Sequence, residues 1–270
     1  MLEKFARSHN LYLDKKGQRP CRSGKKCTWI DKNNNSHDLD FVLERGGTPD
    51  TVGMPAAFIE TAWRRYTKHS RNKAQEIQGA VEPLAETYRH AAPFKGAILA
   101  GVFTDGALGQ LRSLGFTVLY FPYEGVVKVF DQFGIDARSE ENTPIVAFDH
   151  KVAAYEALSM EIRKKLAAAL VKAYRKDVQA FVKSLSEAVL RQIEHIVVLA
   201  LHGTSREVST VDEAIDFIKS YIHGGSTLPV ERYEVEIRYN NGNRVTGSFQ
   251  DKASAIEFLM TYQPVSPQVV

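Results

Sequence analysis

The sequence predicts an α/β protein, and three observations lead there. Two apolar runs of strand length, residues 40–44 and 55–63, flank a stretch rich in turn residues. A 3.6-residue apolar period follows over residues 70–88. Two more apolar runs, residues 96–103 and 116–121, then enclose a second helical pattern. Strand, helix, strand with short connections implies a parallel right-handed crossover. The sheet is therefore expected to be mixed, antiparallel in its first part and parallel in its second.

Taken in order, residues 1–12 predict a short helix that presents Leu2, Phe5 and Ala6. Residues 15–26 are basic, contain Gly17, Pro20 and Gly24, and read as a loop. Residues 27–30 read as a strand, followed by a tight polar turn over 31–36 with three consecutive asparagines. The runs at 40–44 and 55–63 then form a hairpin around Gly46, Gly47, Pro49, Asp50 and Gly53. The order to this point is helix, strand, strand, strand. On the helix at 70–88, Ala74, Ile77, Ala80, Val81, Leu84 and Tyr88 share one stripe. Residues 96–103 are apolar throughout, as in a strand buried on both faces. Thr104 reads as the N-cap of a helix carrying Leu108, Leu111 and Leu114, and Gly115 as its stop. A strand at 116–121 ends at Pro122, and a short helix covers 126–133.

The polar, acidic stretch 134–144 is the best candidate boundary, which divides the chain into an α/β core (1–136), a linker and long helical segment (137–192) and a C-terminal α+β module (193–270). Residues 145–148 read as one more strand. From 150 to 191 there is no Gly or Pro, and Leu158, Ile162, Leu166, Leu170 and Tyr174 recur every four residues. That argues for one very long helix or two joined by a small break. Its lysines and arginines could touch a phosphate backbone, although a solvated outer face is the commoner reason for such residues. The C-terminal module carries a repeat: Ala214-Ile215-Asp216-Phe217-Ile218 matches Ala255-Ile256-Glu257-Phe258-Leu259, each after two strand-like runs. Asn241-Gly242 between alternating runs marks a hairpin. A duplicated ββα unit follows.

With 35 Lys and Arg against 32 Asp and Glu, the net charge of +3 says little about the whole molecule's field. The local distribution says more. Residues 1–37 hold nine basic residues against three acids, and residues 64–73 hold five with no acid. A basic N-terminal half suits phosphate. No run approaches membrane-spanning length and no signal-peptide core is present, so a soluble, cytoplasmic protein is expected. Two cysteines cannot make a disulfide framework, and Cys21, Cys27 and His37 match no common zinc spacing. Walker, G-x-G-x-x-G, H-E-x-x-H and G-x-S-x-G motifs are missing, which leaves nothing positive for an enzyme unrelated to DNA, such as a small-molecule phosphatase.

If the hairpin turns near Pro49 and Asp50, antiparallel pairing sets Asp40 opposite Glu60. Two carboxylates on adjacent strands can share Mg²⁺, which takes one or two protein carboxylates and leaves its other positions to water and phosphate. The plainer reading is that Asp40 starts a strand and Glu60 is solvated. Lys73 lies along the apolar stripe of the next helix at its first turn and points back toward the sheet, or else snorkels to solvent.

An Asp on one strand, a Glu on the next, a nearby amine and a following helix resemble the PD-(D/E)XK nuclease superfamily, home of many type II restriction endonucleases. The resemblance covers roughly residues 25–130. It implies a mixed sheet of restriction-endonuclease type, an αβββαβ core, here joined to a long helix and a C-terminal ββα-ββα module. It also implies a Mg²⁺-dependent endodeoxyribonuclease acting on double-stranded DNA, with a homodimer supplying one site per strand. Carried onto this chain, Asp40 and Glu60 hold the metal with a carbonyl near Thr61 or Ala62. Lys73 serves catalysis, and Arg64, Arg65, Lys68 and Arg71 grip phosphates. Asp38, Gln75, Glu76 and Gln78 support the site from behind. The family's acid-x-Lys tripeptide is Glu60-Thr61-Ala62 here, so the lysine must come from Lys73 or Lys68. Pro49-Asp50 is set aside because it sits at the hairpin tip. The missing lysine keeps open a non-catalytic nucleic-acid-binding or adaptor protein on a degenerate nuclease fold.

Overall fold

Three strands running back and forth, then two parallel strands each reached through a helix, make the central sheet. The computed structural model describes residues 1–66, 70–140, 142–200, 204–222 and 232–263. The chain divides into two units, Met1–Arg89 with Pro93–Leu185, and His90–Ala92 with Ser186–Val270.

In the first unit, α1 (Leu2–Ser8) buries Leu2, Phe5 and Ala6, as expected. It is followed by β1 (Leu11–Lys15), β2 (Cys27–Ile30), β3 (Ser36–Leu39), β4 (Phe41–Arg45) and β5 (Met54–Arg64). Next come α2 (Ser70–Thr87), β6 (Phe94–Gly101), α3 (Asp105–Ser113), β7 (Thr117–Pro122) and α4 (Tyr123–Asp131). The five-stranded sheet has the order β1-β4-β5-β6-β7. Its first two pairings are antiparallel and its last two parallel, so the fold is α/β with a mixed sheet.

One face of this sheet packs against α2 and α3. Ala74, Ile77, Val81 and Leu84 of α2 and Leu108 and Leu111 of α3 join Val42, Phe58, Ala97 and Leu99 in a single core. The stripe read from the sequence is thus the buried face of α2. On the other face Phe94 meets Phe181 at 5.6 Å and Phe121 meets Tyr174 at 5.3 Å between ring centroids. Thr104 caps α3 by accepting from the Ala107 N–H. Gly115 takes φ +81°, the left-handed conformation that ends a helix. At Gly101 (φ +100°) a β-carbon would lie 2.0 Å from the Arg64 carbonyl oxygen, so only glycine lets β6 leave β5 there.

The structure departs from the sequence pattern at several elements. The first strand of the antiparallel part is β1, which falls where the sequence reads as the end of a helix and the start of a loop. Residues 27–30 do form a strand, but β2 pairs with β3 as a separate two-stranded ribbon. Asp14 hid β1: its side chain is buried, and a buried charge breaks the apolar pattern that marks a strand. Residues 145–148 are helical, not extended, and open α5 (Ile145–Glu156) behind Pro144. The expected long helix is three: α5, α6 (Met160–Ala173) and α7 (Arg175–Val189). Ser159 starts α6 by accepting from the Ile162 N–H, and Tyr174 interrupts the chain before α7. The expected break at 136–137 falls inside the first unit, whose division from the second comes at Leu185 and Ser186.

The second unit consists of β8 (Ile193–Ala200), β9 (Ser205–Val208), α8 (Val211–Ser220), β10 (Tyr233–Tyr239), β11 (Arg244–Phe249) and α9 (Lys252–Met260). The strands form an antiparallel sheet in the order β11-β10-β8-β9. Ile196, Val198, Val235 and Ile237 from the central strands meet Ala214, Ile215 and Ile218 of α8 and Ala255 and Leu259 of α9. Equivalent residues of the repeated segment therefore face one core. Thr210 and Glu213 form a capping box at the start of α8, and Asp251 caps α9 through the Ser254 N–H. The turn expected at His202 and Gly203 and the tail from Pro264 lie outside the described residues.

Candidate functional site

The register of β4 with β5 sets Phe41 opposite Ile59 and Val42 opposite Phe58, which continues to Asp40 opposite Glu60. A shift between Leu43 and Glu44 leaves Ala56 as an extra residue on β5, so simple counting from the turn reaches the right pair despite a bulge. At Asp40 the chain leaves the ribbon and enters β4, and the two carboxylates interlock with backbone. The Asp40 N–H donates to Glu60 Oε1 at 3.0 Å. The Thr61 N–H and hydroxyl both donate to Asp40 Oδ2, at 2.8 and 2.6 Å.

Glu60 shares the α2 face of β5 with Phe58 and Ala62 and is only 6 % exposed. Burial pushes its carboxyl up to about 7, and the negative charge of Asp40 pushes the same way. The Asp40 N–H and the ammonium of Lys73 oppose that rise. Lys73 therefore does come within electrostatic reach of Glu60 from the first turn of α2. Its ammonium pairs with Glu76 at 3.1 Å, and Arg64 reaches the same carboxylate at 3.6 Å. Arg64 Nε is buried with no hydrogen-bond partner among the described residues.

The remaining expected site residues scatter. Asp38 turns away to Lys26 and Thr28, both at 2.6 Å, on the exposed ribbon. Gln75 and Arg71 are exposed on α2, and Gln78 pairs with Gln110 of α3. Arg65, one residue past β5, stacks its guanidinium on Tyr66 and on Phe148 of α5, away from α2. Lys68 lies outside the described residues. Of the described basic residues expected to grip phosphate, Arg64 and Arg65 do not share one patch: alternation along β5 sends them to opposite sides. Glu76, expected to support the pair from behind, holds both Lys73 and Arg64.

A comparison with protein families, curated proteins and solved structures matches none of them. What the site can do rests on its own geometry.

For a divalent cation the donor set is two carboxylates. Asp40 Oδ1 and Glu60 Oε2 accept no hydrogen bond from the described residues, and neither is sealed from solvent. Oxygen ligands of this number suit Mg²⁺, and a cation there would offset both the burial of the Glu60 charge and its repulsion by Asp40. No group of three or more His, Cys, Asp or Glu gathers as metal ligands among the described residues. The zinc alternative finds no such cluster: Cys27 donates to Asp14, burial pushes its thiol up, and His37 pairs with Asp31 at 3.0 Å. No helix among the described residues is long and apolar enough to cross a membrane.

One feature escaped the sequence reading altogether. At the far end of β4, Arg19 forks onto Glu44 at 2.6 and 2.9 Å and reaches Asp14 at 2.9 Å, all three nearly or fully buried. Arg22 joins Asp14, the Gly53 N–H donates to Glu44, and the carbonyls of Thr48 and Thr51 accept from Arg19. Every charge is met by another, so the cluster pins the loops at 16–26 and 46–53. Its signal was an acid, Glu44, inside an apolar strand, with arginines in the loop before it.

Proposed function

We propose that this chain is a Mg²⁺-dependent nuclease that hydrolyses phosphodiester bonds of DNA. The observation that carries the reading is the interlocked Asp40–Glu60 pair with the Lys73 ammonium close enough to act on Glu60. The topology is in keeping with it. Leaving the β2–β3 ribbon aside, the order α1, β1, β4, β5, α2, β6 follows the αβββαβ core of restriction-endonuclease type.

Asp40 and Glu60 would hold the cation, through the two oxygens that accept no hydrogen bond from the described residues. When bound, Mg²⁺ lowers the pKa of a coordinated water and offsets charge developing on the phosphoryl oxygens. The chain's own residues set the stage for this. The Thr61 N–H and hydroxyl fix Asp40, and the Asp40 N–H fixes Glu60. Lys73, held by Glu76, supplies a proton-bearing cation beside the carboxylates in place of the family's acid-x-Lys lysine. A symmetric homodimer acting on both strands of a duplex, as restriction enzymes do, belongs to the same proposal.

Supercoiled plasmid incubated with Mg²⁺ tests it. Wild type should nick or linearise the DNA, Asp40→Ala and Glu60→Gln should leave it intact, and Lys73→Ala should cut on the order of a hundredfold more slowly. A wild-type protein that binds DNA in a salt-dependent way yet never cuts it would instead make this a binding protein on a nuclease scaffold.

A further inference from the structure

The first unit has a concavity that the carboxylate pair does not line. A cleft of about 600 Å³ lies among the end of β5, α4 and α5, within the size range of small-ligand sites. Its walls define a chemistry. Trp63, Tyr66, Phe148 and Tyr155 line it, and Trp63 is 43 % exposed. Arg65 lies 4.3 Å from the Tyr66 ring centroid and 4.2 Å from that of Phe148, and Arg163 lies 5.1 Å from Tyr155. Arg65 makes no ion pair or hydrogen bond with the described residues, and none of its nitrogens is sealed off. Its flat faces are taken by rings and its N–H edge is left for an acceptor from outside.

The helix that closes the cleft makes the second observation. α5 has no buried residue, yet Phe148, Lys151, Val152 and Tyr155 all line the cleft. Short helices draw most of their stability from packing an apolar face, and Phe148, Val152 and Tyr155 of α5 face a cleft instead of a core. A ligand there would complete its packing.

We infer that this cleft receives a nucleobase, one taken out of a nucleic-acid strand and stacked on the aromatic side chains while the Arg65 edge meets acceptors on the base or its phosphate. The identity of the ligand as a nucleotide rests on the phosphodiesterase reading above. Aromatic faces stack any base, and a guanidinium fork matches both phosphate oxygens and the O6 and N7 acceptors of guanine. Trp63 follows Glu60 by three residues on β5, about 10 Å along the strand, or about three base steps at 3.4 Å each. It points to the opposite side of the sheet. A strand whose phosphate sits at the carboxylates would have to pass round the end of β5 to bring a nearby base to the cleft, and a base seated among those rings must leave its stack.

The test uses the full-length protein in EDTA, so that binding is read without cleavage. Probes are a single-stranded 12-mer carrying 2-aminopurine, the matching duplex, and dAMP alone. Binding should change the 2-aminopurine and Trp63 fluorescence and slow hydrogen exchange in α5. Arg65→Ala and Phe148→Ala should weaken strand binding about ten- to hundredfold. Strand binding that leaves both the 2-aminopurine signal and α5 exchange unchanged overturns the proposal, as does wild-type affinity in Phe148→Ala. If dAMP binds as tightly as the strand, the strand is ruled out as the source of the base. Intact Mg²⁺-dependent cleavage beside an unresponsive α5 would remove the base site alone. A responsive α5 in a protein that never cuts would remove the nuclease alone.

Discussion

Replacing Glu60 by Gln should make the cation-free protein more stable, and by an amount that depends on pH. Gln keeps the oxygen that accepts from the Asp40 N–H and removes the charge. In the folded chain Glu60 holds its proton up to about 7 against an ordinary value of 4.5, mainly through burial and secondarily through Asp40. Between those values the folded state binds more proton than the unfolded state, so wild-type stability falls as pH rises and levels off above about 7. At 1.36 kcal/mol per pH unit, that span corresponds to about 3 kcal/mol. Glu60→Gln and wild type should therefore match near pH 4.5, and the variant should be ahead by about 3 kcal/mol at pH 8. Urea unfolding in EDTA across that range, followed by a probe of the first unit, measures it. Adding Mg²⁺ at ten times its dissociation constant should return about 1.4 kcal/mol to wild type and much less to the variant. Parallel pH profiles for the two proteins would refute the reasoning, since they would mean that Glu60 ionises as freely folded as unfolded.

The two neighbours of Glu60 should move its titration in opposite directions. Asp40→Asn removes the like charge and brings the midpoint of the pH-dependent stability loss below about 7, while Lys73→Met removes a favourable charge and raises it above about 7; a carboxyl-carbon NMR titration of Glu60 reads both. At the other end of β4, Arg19→Met strands the buried carboxylate of Glu44, leaves Asp14 with Arg22 alone and should cost about 3–5 kcal/mol in urea unfolding. Lys15→Met, which breaks only the exposed pair with Glu3, should leave the unfolding midpoint where it is.

The legible parts of this chain were those governed by local rules. The α2 stripe, the Thr104 cap and the Asn241-Gly242 turn each depend on a few adjacent residues and each is where the pattern put it, while the apolar run expected at 96–103 forms β6 two residues earlier, at Phe94–Gly101. The Asp40–Glu60 pairing was legible because a hairpin converts sequence distance into register. What failed was whatever the pattern alone could not weigh. β1 carries a buried aspartate that only its partners from elsewhere make tolerable. Residues 145–148 are apolar enough for a strand, but no sheet edge takes them and Pro144 opens a helix instead.

By itself, the sequence determined which segments are strands or helices where a period runs unbroken, and which two acids a β-hairpin would set side by side. Only the tertiary structure decided what those acids feel. Glu60 keeps its proton because α2 and the sheet exclude water around it and Asp40 stands beside it, and Lys73 and Glu76 matter because α2 lies across that face. Alternation sends Arg65 to the other side, where helices from far along the chain make the aromatic cleft. Burial and cross-chain proximity arise only when distant segments pack, so no window of adjacent residues contains them.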